Sequence, residues 1–501
     1  MGQKMYQFST LYVFNLRGNQ RTSGDLSRRE GGKIFGSGSR TPIAITILVK
    51  KPQKADEKAK IFYHDIGDYL TREDKLNKIK AFGSILSPEM ELSSITPSKD
   101  HDWINKKDDL FQTFIPLGDK KNEDVKTIFV PFYSLGCATA RDVWCYNFSK
   151  NELAKNMASM IEYYNKSACR TEDVDFEYDS TKISWSHVLK SQASRHIYMD
   201  FDGNNITYSI YRPFCREFFF YYKPVLERTY QLPKLFPTPQ SKNLVICVSG
   251  LGGTKELAVL ISNTIIDLNC LHSGTQCFPL YYYEKNDSPQ SDLYTYSQDE
   301  YIRHDGISDF ALNLARELNP KIIKEDIFYY IYGFLHNQEY RTRFAADLKK
   351  SLPRIFFPAT YEEFRKYCEA GRHLAKLHLN YESGPLCPSV VVSGCEHGNF
   401  KVDKMRFLAK DDKRTIIFNN DITIENIPQE AYNYVINGKS AIEWIMERYA
   451  VTIDKNSKIV NDPNQWSENP RYVLDLLLRI IQMSLETLKI VNKLPKLNLP
   501  S

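Results

Sequence analysis

Two strand-like runs, Leu11–Leu16 and Ile43–Val49, open the chain with almost no lead-in, and a long glycine-, arginine- and serine-rich stretch from Arg17 to Thr41 joins them. The first run has the pattern of a buried strand. A lone hairpin is marginal in water. These strands therefore require a sheet whose other members lie elsewhere, and Leu11–Leu16 is expected at its open edge. A third short run, Ile61–His64, leads into a charged helix over Arg72–Phe82.

The joining stretch is also where the charge collects. Between Leu11 and Pro52 stand Arg17, Arg21, Arg28, Arg29, Lys33, Arg40, Lys50 and Lys51, opposed only by Asp25 and Glu30. The whole chain carries +5, so the remainder is close to neutral. A local basic surface of this kind suits phosphate. Its glycines permit close backbone approach, and Arg or Lys can then bond phosphates or guanine edges. A solvated mobile loop is the competing reading, weakened by the strands that bracket it.

Beyond this, 501 residues leave room for two to four domains. Residues 86–126 read as a polar linking region. Order returns with a strand at Thr127–Tyr133 and a helix at Asn151–Asn165. A buried strand follows at Leu244–Val248, then helical patterns over Asp309–Leu318, Lys321–Leu352 and Tyr361–Leu379. The late stretch holds a strand at Arg414–Phe418 and helices at Ser440–Tyr449 and from Arg471. The apolar run Tyr472–Leu494 is interrupted by Asp475, Arg479, Glu486 and Lys489, so it reads as a core helix, not a membrane span. Ten cysteines without a C-x-x-C pair read as reduced thiols. Cys395 with His397 offers two metal ligands and no partner pair. With no secretory signal in Met1–Thr10, the expected compartment is the cytoplasm.

Candidate catalytic motifs fail on their chemistry. Gly250–Lys255 follows a strand, but a phosphate loop needs Gly-Lys-Ser/Thr opening a helix, and Glu256 stands where the hydroxyl belongs. It reads as a tight glycine turn. An amino-methyltransferase needs an Asn/Asp-Pro-Pro-aromatic turn, and the nearest strings, Asn319-Pro320-Lys321 and Asn469-Pro470-Arg471, lack the second proline and the ring. No Asp…Glu-x-Lys nuclease arrangement stands at a strand end. Phe218–Tyr222 reads as a core strand before a base-stacking platform, and Tyr329, Tyr330 and Tyr332 as packing residues.

Certain longer strings carry a resemblance. The segments Tyr12–Asp25, Phe35-Gly36 and Thr46–Lys50 look like the final strands of a γ-type adenine-N6 methyltransferase domain. Ser134–Phe148, Tyr211–Phe214, Gln276–Tyr281, Asp326–His336 with Tyr340-Arg341, and Leu348–Arg354 resemble the C-terminal specificity region of type ISP restriction–modification enzymes. Those enzymes join nuclease, helicase-like ATPase, methyltransferase and target-recognition domains in one chain. The resemblance implies a mixed α/β protein. The terminal strands of a methyltransferase Rossmann-like sheet (residues 1–85) would precede a large mixed α/β target-recognition domain (127–501).

The implied function is sequence-specific recognition of double-stranded DNA, directing adenine-N6 methylation and cleavage performed by an upstream methyltransferase, helicase and nuclease polypeptide. A split methyltransferase active in trans and a degenerate remnant are the alternatives. No cofactor is expected in this chain, and S-adenosylmethionine, ATP and Mg are implied for the complete enzyme. Recognition needs phosphate contacts for affinity and base contacts for sequence. The candidates are Arg21, Arg28, Arg29, Lys33 and Arg40 in the basic stretch. Later in the chain they are Arg141, Arg195, Arg212, Arg341, Arg343, Lys349, Lys350 and Arg354.

Overall fold

The computed structural model describes residues 8–22, 24–36, 38–50, 59–99, 101–122, 124–130, 132–169, 178–238, 241–253, 255–286, 300–409 and 412–499. Lys51 and residues 1–7 lie outside that set. The chain divides into two compact units, Met1–Phe111 with Thr254–Glu256, and Gln112–Gly253 with Leu257–Ser501. The division at Phe111/Gln112 falls within the linking region 86–126, both sides of which are anchored. Met90 belongs to the core of the N-terminal unit, and Ser93–Ile95 pairs into its sheet. Phe114 and Leu117 are buried in the larger unit, where Phe114 packs on Phe344 and Phe356. Isolated aromatics in a polar stretch were the only sequence sign of this anchoring.

In the N-terminal unit, β1 (Thr10–Arg17), α1 (Gly24–Glu30), β2 (Ile43–Val49), β3 (Lys60–Asp65), α2 (Arg72–Phe82) and β4 (Ser93–Ile95) form a sheet of order β2-β1-β3-β4 with two helices. β1 is antiparallel to β2 and parallel to β3. The expectation for Leu11–Leu16 is therefore corrected, since this strand is internal and, among the described residues, β2 is the edge. Burial explains the assignment. Leu11, Val13, Phe14 and Leu16 of β1 are buried, whereas Ala44 to Leu48 of β2 are exposed throughout. Phe14 and Leu16 pack with Ile66 and Met90 to form the small core.

Among its described residues the larger unit holds three four-stranded sheets. Val259–Ser262, Val245–Val248, Gln276–Pro279 and Ser134–Leu135 lie side by side in that order, with Val245–Val248 wholly buried. In the second sheet Ile206–Arg212 pairs with Cys215–Phe220, whose Phe219 and Phe220 are buried, as expected of a core strand. The third carries Asp412–Ile417 at its centre, two residues before the expected start. The strand expected at Thr127–Tyr133 is reduced to a single bridge between Phe129 and Ile307, and regular pairing begins at Ser134.

Two helices of this unit, α3 (Lys324–Phe334) and α4 (Tyr361–Leu379), pack closely against each other. α4 buries Phe364, Tyr367, Cys368, Gly371, Leu374, Ala375 and His378, one stripe at helical spacing. A Cβ at Gly333 would collide with the Tyr367 carbonyl, and one at Gly371 with the Tyr329 carbonyl, so only glycines allow this crossing. Tyr330 and Tyr332 are buried as packing residues, with the Tyr330 hydroxyl donating to the Phe356 carbonyl at 2.6 Å. The closing helix α5 (Tyr472–Val491) is a core element, and none of the described helices is long and apolar enough to cross a membrane. All ten cysteines are free thiols.

Candidate nucleic-acid interface

The basic stretch between β1 and β2 is held by a dense set of bonds. Gly18 donates its amide to the Glu30 carbonyl at 3.0 Å, and Gln20 donates its side-chain amide to the Gly31 carbonyl at 2.8 Å. The Gln20 backbone reaches the Arg40 carbonyl at 3.0 Å, and Gly32 reaches the Leu70 carbonyl at 2.9 Å. The anchor beneath them is Lys75 of α2, a buried lysine whose Nζ donates to the carbonyls of Glu30 and Gly32 at 2.7 and 2.8 Å. Burial lowers the pKa of its ammonium, and the two carbonyls satisfy the donors that burial would otherwise strand.

Two glycines let the stretch lie against the start of α2. Gly31 has φ +66°, and a Cβ there would collide with the Leu70 carbonyl; at Gly32 it would meet the Arg72 amide. This close approach brings Lys33 beside Arg72, whose Nε donates to the Ile34 carbonyl at 2.8 Å. The result is an open cleft of about 610 Å³ lined by Gln20, Ser27, Arg28, Gly31, Gly32, Lys33 and Arg72. Arg21, Arg29 and Arg40 are exposed on the same unit. Arg17 is spent internally, its Nε on Asp65 at 2.6 Å and its Nη1 on Asp68. Burial works against the Asp65 carboxylate, but the Gly67 amide and the Arg17 guanidinium outweigh it and hold that carboxyl below its usual range. Arg72 and Lys75 were not among the sequence candidates. Both read as ordinary charges of a solvated helix until the glycines bring the loop onto them.

In the larger unit several candidate arginines are structural. Arg141 has no exposed side-chain surface. It donates to the carbonyls of Thr139 at 2.8 Å, Ser184 at 3.2 Å and Val225, and to Ser186 Oγ at 2.8 Å. Burial lowers its pKa, and its donors are consumed inside the protein, which corrects its assignment as a DNA contact. Arg212 is corrected for the same reason: it lies 2.7 Å from buried Asp267, 3.6 Å from Asp142, and over the Tyr211 ring at 3.8 Å. Arg341 is half-buried and donates to the Leu257 carbonyl. Arg354 is also half-buried, bonding the carbonyls of Phe114 at 2.9 Å and Gln112 at 3.3 Å. These two tie backbone segments together. Arg195, Arg343 and Lys350 are exposed and Lys349 is half-buried, so these four keep surface for a partner.

A two-stranded antiparallel ribbon, Tyr281–Lys285 with Tyr301–Asp305, adds a feature the sequence reading missed. Exposed Arg303 lies over the Tyr281 ring at 4.3 Å, and Tyr282 stacks on His304 at 5.0 Å. The tyrosine run Tyr281–Tyr283 and the nearby cations Lys285 and Arg303 were its sequence signal, and residues 287–299 between the strands lie outside the described set. The Gly250–Gly253 turn leads from Val245–Val248 into the antiparallel strand Val259–Ser262, with no helix to receive a phosphate, in keeping with a tight glycine turn. Cys395 and His397 sit on a short 3₁₀ turn. Among the described residues no group of three His, Cys, Asp or Glu converges to hold a metal ion.

Comparison with known proteins fits these surfaces into a family. The structure is similar to a nuclease-deletion mutant of the Type ISP restriction-modification enzyme LlaGI in complex with a DNA substrate mimic, at TM-score 0.83 and 39% identity, covering 99% of this chain and 38% of that one. It is similar to the ATP-dependent Type ISP restriction-modification enzyme LlaBIII bound to DNA, at 0.84 and 37%, covering 99% and 31%. The DrdV–DNA complex matches at 0.80 and 27%, covering 99% and 49%. The chain thus spans less than half the length of these relatives. A search of curated protein sequences returned no match. The family model described as the Type ISP C-terminal specificity domain matches residues 127–476, well over half the chain, and the chain belongs to that family.

Proposed function

We propose that this chain selects the double-stranded DNA sequence on which a Type ISP restriction–modification enzyme acts, in the cytoplasm. The observation that carries the reading is the specificity-domain match over 127–476, set within a structure that aligns along nearly its whole length with enzymes bound to DNA. The exposed cations of the N-terminal unit supply phosphate contacts, which give affinity without sequence. In the larger unit the ribbon carrying Arg303, together with Arg343, Lys349 and Lys350, offers base-reading groups, since a two-stranded ribbon fits the major groove.

Methylation and cleavage are assigned to the part of the relatives' length that this chain does not span. S-adenosylmethionine, ATP and Mg are assigned to that same part. Incubating the full chain with a randomised duplex library and sequencing the retained DNA tests the reading. One enriched sequence is expected; retention without enrichment would contradict it.

A further inference from the structure

The ribbon Tyr281–Lys285 with Tyr301–Asp305 sorts its side chains by face. In an antiparallel ladder residues two apart share a face, and the residues opposite them join it. The register sets Tyr281 against Asp305, Tyr283 against Arg303 and Lys285 against Tyr301, so three tyrosines and the cations Lys285 and Arg303 lie on one face. Asp305, on that same face, pairs with Lys324 of α3 at 3.2 Å. The other face carries Tyr282 stacked on His304 at 5.0 Å, with Glu284 3.5 Å from the His304 ring. Arg303 is exposed, and its guanidinium lies 4.3 Å from the centre of the Tyr281 ring.

The root of the ribbon is fixed, which makes that ring a firm shelf. Buried Asn243 grips the Tyr281 backbone twice: its Nδ2 donates to the Tyr281 carbonyl at 2.6 Å, and its Oδ1 accepts the Tyr281 amide at 3.2 Å. The Tyr283 hydroxyl donates to the Lys242 carbonyl at 2.8 Å. At the end of the second strand the Gly306 amide donates to the Leu280 carbonyl at 2.7 Å, and a Cβ at Gly306 would collide with the Pro279 carbonyl. A side chain held on such a base has little freedom left to lose on binding, as discrimination between bases requires.

We propose that Arg303 is a specificity-determining residue that reads one guanine of the target duplex from the major groove, with Tyr281 as its positioning residue. This rests on the DNA-recognition reading and adds to it both the base and its reader. A guanidinium stacked on a ring presents its N–H donors at its rim, as a planar fork. Guanine shows two acceptors, O6 and N7, on its major-groove edge, and an arginine fork bonds both at once. Adenine and cytosine place a donor on that edge, and thymine offers one acceptor beside a methyl group. Lys285 on the same face is a point charge without the fork and suits a phosphate. A major groove about 12 Å wide admits a two-stranded ribbon.

The test uses the full chain and the duplex it enriches from a randomised library. Each guanine of that duplex is replaced in turn by 7-deazaguanine, which keeps base pairing and lacks the N7 acceptor. At one position the replacement should weaken binding by the parent about fivefold or more and leave binding by Arg303→Ala unchanged. Arg303→Lys keeps the charge, so it should hold its affinity for a scrambled duplex while losing most of that single preference. Tyr281→Phe keeps the ring and should match the parent, whereas Tyr281→Leu removes the shelf and should lower the same preference alone. If Arg303→Ala and Arg303→Lys keep the parental preference at every position, Arg303 reads no base, while DNA selection stands. Equal loss at all positions, with weaker binding to the scrambled duplex, makes Arg303 a phosphate contact and also overturns the proposal. A parental preference in Tyr281→Leu overturns the role of the ring. A parent chain that enriches no sequence overturns the DNA reading and the role of Arg303 with it.

Discussion

His336 and His378 are the residues through which acid should unfold the larger unit. Both are buried: His336 Nδ1 bonds the Tyr332 carbonyl at 2.7 Å, and His378 bridges the Tyr332 hydroxyl at 2.6 Å and Thr487 Oγ1 at 2.9 Å. Burial holds both rings neutral, bringing the His336 pKa from 6.5 down to about 4 and the His378 pKa well below its usual value. A folded-state pKa below the unfolded one stabilises fully above about pH 6.5, and that contribution is lost as pH falls toward 4. From His336 alone the loss between pH 7 and pH 5 should be about 2 kcal/mol. Urea titrations at the two pH values check this. His336→Gln should flatten the difference by about that amount, and a variant as acid-sensitive as the parent would assign the effect elsewhere. At the same scale, buried Arg141 shows what sequence could not tell. An arginine beside an aspartate, as in Arg141-Asp142, looks like a surface reader in sequence, and only burial reveals that its donors go mostly to the backbone.

Strand β2 sets the behaviour of the N-terminal unit at the element scale. Among the described residues it pairs with β1 alone, and Ile45, Ile47 and Leu48 are exposed at 42%, 43% and 49%. An exposed apolar edge strand is a template for another chain. On one face Ile45 and Ile47 meet Tyr12, Phe14, Ile79 and Phe82 around a cavity of about 150 Å³, a ready seat for a partner's apolar side chains. The isolated protein should therefore self-associate, and Ile47→Lys should shift it toward monomer in sedimentation velocity at matched concentration. Identical sedimentation of the two proteins would mean that the edge is not what associates. The sequence showed both strands, because their apolar runs are unmistakable, but misplaced the edge. The apolar content of Leu11–Leu16 and of Ile43–Val49 marks both as strands and says nothing about which neighbours flank each one.

Across the whole molecule, what proved legible was what periodicity and long strings encode. α2 spans Arg72–Phe82 and α4 spans Tyr361–Leu379, as the helical spacing indicated, and the strings Ser134–Phe148 and Asp326–His336 lie in the larger unit, within the matched 127–476. The site was half legible, because cationic candidates can be counted in sequence but their exposure is decided by tertiary packing. Arg343 and Lys350 remain on the surface while Arg141 and Arg212 go inside, and the cleft brings in Arg72 through a glycine contact across some forty residues of chain. The proposed function divides the labour, with sequence-independent grip in the N-terminal unit and base reading in the larger one. The most direct measurement is a competition titration of the full chain between its enriched duplex and a scrambled one. Replacing Arg21, Arg28 and Arg29 together by Ala should weaken binding to both duplexes alike and leave their ratio intact. At least one of Arg303→Ala, Arg343→Ala and Lys350→Ala should cut the ratio by roughly fivefold or more, the value of one base contact. A ratio that survives all three of these changes, or that collapses in the N-terminal triple variant, would contradict the division.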